Sequence, residues 1–78
     1  MRPVTKRLLS RYLSRRASLE DLRGFVEDVD WDDPLLDEEE RSALLSIEAY
    51  ITGIDDGFNQ EADLKDFARA AFPEKRAS

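Results

Sequence analysis

Residues 37–53, DEEERSALLSIEAYITG, decide the fold of this chain. Asp37, followed three residues later by Glu40, predicts a helix start of the capping-box kind, and three acids in the first turn suit the helix dipole. Gly53 is predicted to cap the other end. Apolar side chains recur between them at helical spacing and form the broadest apolar face in the sequence. We therefore expect this helix to be central. Its apolar face consists of Ala43, Leu44, Ile47, Tyr50 and Ile51.

Three further segments with helical periodicity predict an all-α fold, a compact bundle of about four short helices. The first helix covers about residues 3–15, with arginines opposite its apolar face. Ser18 predicts the N-cap of the second helix, where Gly24 is expected to mark a close backbone approach. Pro73 ends the last helix, and residues 72–78 are expected to form a frayed tail. The predicted core contains Leu8, Leu22, Val26, Leu44, Ile47, Ile51, Leu64 and Phe67.

The composition excludes several classes of function. Seventy-eight residues predict a single domain, residues 1–78, with one modest core. Without cysteine or histidine there is no disulfide, no thiolate metal site and no histidine base. The paired carboxylates fall in predicted loops or first turns, where contact with solvent leaves them without the burial that separates the pKa values of catalytic carboxylates. We therefore expect a non-enzymatic protein without cofactors. Lacking a signal sequence or an apolar run of about 20 residues, it is expected to be cytoplasmic, as a monomer or weak homodimer.

Charge is distributed very unevenly along the chain. The net charge is −6, but residues 1–16 carry +6, residues 17–40 carry −10 and residues 41–78 carry −2. Such asymmetry indicates either an electrostatic match inside the fold or a charged partner.

The acidic stretch DVDWDDPLLDEE, residues 28–39, resembles the calcium loop of an EF-hand. Aspartates stand at its first, third and fifth positions, and Glu39 stands at the twelfth. The sixth position, a glycine in that family, is Asp33, and Pro34 pushes the backbone of its neighbour toward an extended conformation. We therefore interpret the stretch as an acidic connection between two helices without a metal.

Trp31 lies within this acidic stretch and has two interpretations. It covers the open end of the bundle as a lid, because tryptophan is usually buried in large part. Alternatively it anchors a protein partner that presents a basic patch, since tryptophan is frequent among binding hot spots. The candidate residues for partner binding are Trp31, Asp30, Asp32, Asp33 and Leu45.

The first helix offers an alternative site. Its arginine-rich, acid-free sequence resembles a mitochondrial presequence and suits the phosphates of nucleic acid or a lipid surface. We favour instead a match of Arg7, Arg11 and Arg15 with the acidic second and third helices, because removing this helix would uncover the core. RRASL, residues 15–19, resembles a kinase recognition sequence, although the role of Ser18 as a cap already explains this serine. The alternative candidates for polyanion binding are Lys6, Arg7, Arg11 and Arg15.

The pattern SLEDL … IEAYITG … ADLKDF, within residues 18–67, resembles small acidic helical bacterial proteins of unknown function. This resemblance implies no particular activity. Elimination and charge together predict a protein-binding module of the inhibitor, antitoxin, immunity or adaptor type that uses an acidic surface around Trp31. The alternative is a nucleic-acid-associated regulator that binds through the basic first helix.

Overall fold

The computed structural model describes residues 1–71, which contain four α-helices and no β-strand. This architecture confirms the predicted all-α fold. Within the same range, none of the helices combines the length and the apolar character needed to cross a membrane. The expected frayed tail, residues 72–78, lies outside the described residues. The helices are α1 (Pro3–Leu13), α2 (Leu19–Glu27), α3 (Glu38–Asp55) and α4 (Glu61–Ala71).

The helices pack in a ring around one core. Helix α2 contacts α1 and α3, and α4 contacts α3 and α1, so α1 lies diagonally across from α3. Each helix contributes a side chain that is almost completely buried, and Leu36 from the α2–α3 connection joins them. The helical contributors are Tyr12, Leu22, Ile47 and Leu64.

Two residues of the predicted core, Leu8 and Phe67, are only partly buried and pack against its edge. Leu9 takes the buried position on α1, and Ala68 takes it on α4. Phe67 instead contacts Tyr50, with ring centroids 5.2 Å apart. The apolar stripes were predicted correctly, but residues three and four apart share one face, and this spacing does not decide which of them points to its centre.

Local hydrogen bonds explain where α2 and α3 begin. Ser18 Oγ accepts from the Asp21 backbone N–H at 3.1 Å, and Asp21 Oδ2 accepts from the Ser18 N–H at 2.9 Å, which completes a capping box. The hydrogen bond from the Ser18 backbone N–H, followed by the Ser18 side chain, holds the pKa of the Asp21 carboxyl below its ordinary value. Asp37 caps α3 by accepting from the Glu40 N–H at 2.7 Å. The expected reciprocal bond is missing because the Glu40 carboxylate points into the protein.

The two glycines on helices have roles opposite to those predicted. A Cβ added at Gly24 would meet no atom within 4 Å, so no close approach requires this glycine. Gly53 does not cap α3, which continues to Asp55. A Cβ at Gly53 would collide with the Asn59 side chain, and the Gly53 carbonyl accepts from the N–H groups of Phe58 and Asn59 at 2.8 and 3.1 Å. Gly53 therefore lets the α3–α4 turn fold back tightly on the helix.

Helix α1 ends at Leu13, two residues earlier than predicted. Arg15 adopts a left-handed conformation with φ of 66°. The Arg16 N–H donates to the Arg11 carbonyl at 2.7 Å, and the Arg15 N–H donates to the Tyr12 carbonyl at 3.1 Å. This pair of bonds is a Schellman motif, a helix end that usually places glycine at the left-handed position.

Candidate binding surfaces

Residues 28–37, called the acidic connection below, join α2 to α3 through two successive turns. Asp30 Oδ1 accepts from the Asp32 N–H at 3.0 Å, and Asp33 Oδ1 accepts from the Leu35 N–H at 2.9 Å. Aspartate side chains commonly bond to the backbone two residues further on in this way. The turns of the connection therefore already engage the carboxylate of Asp30, which stands at a ligand position of the EF-hand loop.

The resemblance to an EF-hand does not extend to the backbone. An EF-hand loop needs a sharp turn at its sixth position, where glycine is invariant. Among residues 1–71, Arg15 is the non-glycine residue with positive φ, so Asp33 does not adopt a conformation of that kind. The same range contains no group of three or more acidic, histidine or cysteine side chains that could hold a metal ion. The stretch has the geometry of an acidic turn.

Trp31 is partly buried and packs against the core. Its backbone carbonyl accepts from Arg41 Nη2 at 3.1 Å, which links the connection to the first turns of α3. This placement agrees with the interpretation of Trp31 as a lid. Part of the indole remains accessible to a partner.

Leu35 is the apolar side chain that the acidic connection presents most openly, with 75% of its surface exposed. This exposure could not be predicted, because a single leucine between turns belongs to no periodic pattern. Leu45 on α3 is half exposed. Several exposed acids on or beside the connection form no ion pair within residues 1–71. These free carboxylates belong to Glu27, Asp28, Asp30, Asp32 and Glu39.

The exposed cations of α1 and the following turn form a second charged surface, called the basic face below. None of them makes an ion pair with an acid in residues 1–71. The expected contact of Arg7, Arg11 and Arg15 with the acids of α2 and α3 is therefore absent. Arg11 acts on Asp21 only through space, as the smallest contribution to its lowered pKa. The basic face consists of Lys6, Arg7, Arg11, Arg15 and Arg16.

The internal electrostatic match is made by other arginines. Arg23 on α2 reaches the C-terminal end of α3, where its Nη1 and Nη2 atoms lie 2.5 and 2.8 Å from the two carboxylate oxygens of Asp55. Such a bidentate contact fixes both side chains more firmly than a single hydrogen bond. The hydrogen bond from Arg23 lowers the pKa of Asp55.

A buried charged cluster holds the N-terminal segment against α3. Glu40 has no exposed surface, and its carboxylate accepts from the backbone N–H and the Nε of Arg2, at 3.0 and 2.9 Å, and from Thr5 Oγ1. Burial acts to raise the pKa of Glu40, but the hydrogen bonds from Arg2 and Thr5 outweigh it and the pKa is lowered. Arg2 Nη1 also lies 3.4 Å from Asp33.

This cluster was not predicted, although the sequence contains one signal of it. Glu40 stands four residues before Leu44, and Ile47 and Ile51 follow on the same stripe, so it occupies the first position of the buried face of α3. An acid on such a stripe predicts a buried partner, because burying an unpaired carboxylate costs too much free energy.

The fold and these surfaces define a small all-α protein that presents a basic face and an acidic connection. No protein-family model, curated protein or solved structure matches the chain.

Proposed function

We propose that this chain is a non-enzymatic protein-binding module that contacts a basic patch of a partner through the acidic surface around Trp31. Inhibitor, antitoxin, immunity and adaptor proteins act in this general manner. The observation that carries the proposal is Leu35, an exposed apolar side chain among free carboxylates. The surroundings of the acids also support a role in binding over a role in catalysis. The charge of the buried Glu40 is compensated by Arg2, and the exposed acids lack the burial that catalytic carboxylates need.

The two components of this surface have different physical effects on a complex. Complete burial of a leucine side chain contributes about 1.5–3 kcal/mol, and most of the Leu35 surface is still available for burial. Free carboxylates such as Asp30 and Asp32 act mainly on the association rate and on its dependence on salt. Affinity is therefore expected to depend on Leu35 and the exposed part of Trp31, while selection of a basic partner depends on the acids.

The test begins with affinity capture from an extract of the native cell at low and at high salt, followed by calorimetry with the purified partner. Leu35→Ala is expected to weaken the complex about tenfold or more, as the loss of about 1.4 kcal/mol implies. Asp30→Asn/Asp32→Asn should slow association and reduce its salt dependence, while an amide oxygen at position 30 still accepts the turn hydrogen bond from the N–H of residue 32. Unchanged affinity and rate for both variants would rule out the acidic surface.

A matched control removes the same charge elsewhere. Asp56 follows α3 at the end remote from the connection, and Asp66 lies exposed on α4. Asp56→Asn/Asp66→Asn should leave the association rate with the partner close to that of the unmodified chain. An equal effect of the control would mean that net charge, rather than the acidic surface, drives association.

A second function, binding of nucleic acid through the basic face, is favoured by one observation. Arg15 holds a left-handed backbone conformation that costs a non-glycine residue roughly 1–2 kcal/mol, and its side chain forms no ion pair within residues 1–71. Retaining an arginine where glycine is more stable suggests a use for its charge. The net charge of −6 opposes this function, because the acids repel a closely approaching polyanion.

Fluorescence anisotropy with a short DNA duplex tests this second function. Binding through the basic face would give affinity that falls steeply with salt concentration, and Arg7→Ala/Arg11→Ala would reduce both affinity and the salt slope. Absence of binding at low salt, or the same affinity for the variant, would exclude it.

A further inference from the structure

A groove of about 220 Å³ lies between α2 and α3. Two nearly buried aliphatic residues, Val26 and Ile51, form its apolar part, with 3% and 5% of their surfaces exposed. The remaining residues along the groove are Arg23, Glu27, Glu48, Thr52 and Asp55.

The groove carries a local charge of −2. The positive charge of Arg23 is offset by its two-pronged contact with Asp55. Glu27 and Glu48 are both exposed, and neither forms an ion pair within residues 1–71. Two carboxylates without a cation therefore stand beside an apolar surface.

This combination favours one kind of occupant. Calcium takes six to eight oxygen ligands, whereas residues 1–71 contain no cluster of three or more side chains suited to a metal. An anion would meet two uncompensated negative charges. A long basic side chain fits both features, because its aliphatic stem covers apolar surface while its charged end stays with polar groups and water.

We propose that the α2–α3 groove holds one arginine or lysine side chain of the protein partner, with its stem on Val26 and Ile51 and its cationic end at Glu27 and Glu48. This inference rests on the proposed protein-binding function and assigns a position to one residue of the partner's basic patch. Glu27 ends α2 and is followed directly by the acidic connection. The groove and the connection can therefore contact one continuous basic surface.

The experiment titrates the isotope-labelled chain with a capped peptide, Gly-Ser-Arg-Ser-Gly, at low salt and records backbone amide shifts. The arginine peptide and its lysine analogue should produce saturable shifts that are largest at Val26 and Thr52. A citrulline analogue, which keeps the shape of arginine without its charge, should produce none. Stronger binding of the arginine peptide than of the lysine peptide would identify the preferred residue.

Matched variants of the chain complete the test. Glu27→Gln/Glu48→Gln should weaken binding of the peptide at least tenfold, while Asp66→Asn, which removes an exposed carboxylate on α4 away from the groove, should leave it unchanged. Largest shifts in the acidic connection would overturn the groove assignment and leave the proposed function standing. Shifts that are unchanged by the glutamine substitutions would also overturn it, and so would the absence of any saturable shift at millimolar peptide; the proposed function is tested separately by the Leu35→Ala variant.

Discussion

Replacing Glu40 with alanine is expected to lower the free energy of unfolding by about 3 kcal/mol. Removing one partner of a buried ion pair typically costs about 3–5 kcal/mol, because the other charge loses its compensation. The lower end of this range applies here, since 20% of the Arg2 side chain is exposed and its Nη1 still has the Asp33 carboxylate at 3.4 Å as a partner. Thr5, only 1% exposed, loses the acceptor of its hydroxyl and adds to the cost.

This loss is large for a chain of this size. Seventy-eight residues correspond to a total stability of roughly 4–12 kcal/mol. A change of 1 kcal/mol moves the unfolding midpoint by about 4–8 °C in a domain of this length, so the variant should melt at least about 12 °C lower. Because the cluster joins the residues around the start of α1 to α3, the variant should also lose hydrogen-exchange protection first in α1.

Urea unfolding followed by circular dichroism measures the effect, with Glu39→Ala as the control. Glu39 is the same residue type on the same helical turn, but it is exposed and has no ion pair within the described residues. Its replacement should change stability by less than about 0.5 kcal/mol. A loss below about 1 kcal/mol for Glu40→Ala, or equal losses for the two variants, would refute the importance of the buried cluster.

Three further predictions test other features of the fold. The stability advantage of the unmodified chain over Glu40→Gln should be fully present above the ordinary pKa of an unfolded glutamate, about 4.3. It should be lost as the pH falls through the lower pKa of Glu40 in the folded chain, because the carboxylate stabilises the fold only while ionised; a constant advantage in urea titrations would contradict this. Gly24→Ala should raise the free energy of unfolding by up to about 1 kcal/mol, whereas Gly53→Ala should lower it through collision with the α3–α4 turn. Equal changes of the melting midpoint in the two variants would contradict this prediction. Calcium at millimolar concentration should leave the melting midpoint unchanged relative to chelator, and a specific rise would restore a calcium site at residues 28–39.

Helices and their starts could be predicted because their causes are local. Ser18 and Asp37 cap α2 and α3 as expected, and the apolar stripes of α2 and α3 became the centre of the core. Errors occurred where two segments meet. Gly53 is required by Asn59, six residues further along the chain, and no pattern within a helix reveals such a collision.

The binding surfaces could be predicted only in part. The acidic character of residues 28–37 and the basic character of α1 follow directly from the sequence, and both remain exposed. The exposure of individual side chains could not be predicted from the sequence. Trp31 lies in the first turn of the connection and packs against the core, whereas Leu35 lies in the second turn and is exposed. Neither turn has a periodic pattern from which these directions could be predicted.

By itself, the sequence determined the helices, the N-caps of α2 and α3 and the uneven distribution of charge, since spacing and local hydrogen bonds act over only a few residues. Tertiary structure alone decided which charges are paired. Arg2 is buried against Glu40 across 38 positions of the chain, and Arg23 is fixed to Asp55 across 32. Arg7 and Arg11 lie in a segment without acids, and they remain exposed without ion pairs in the described structure because α1 turns its polar side to solvent.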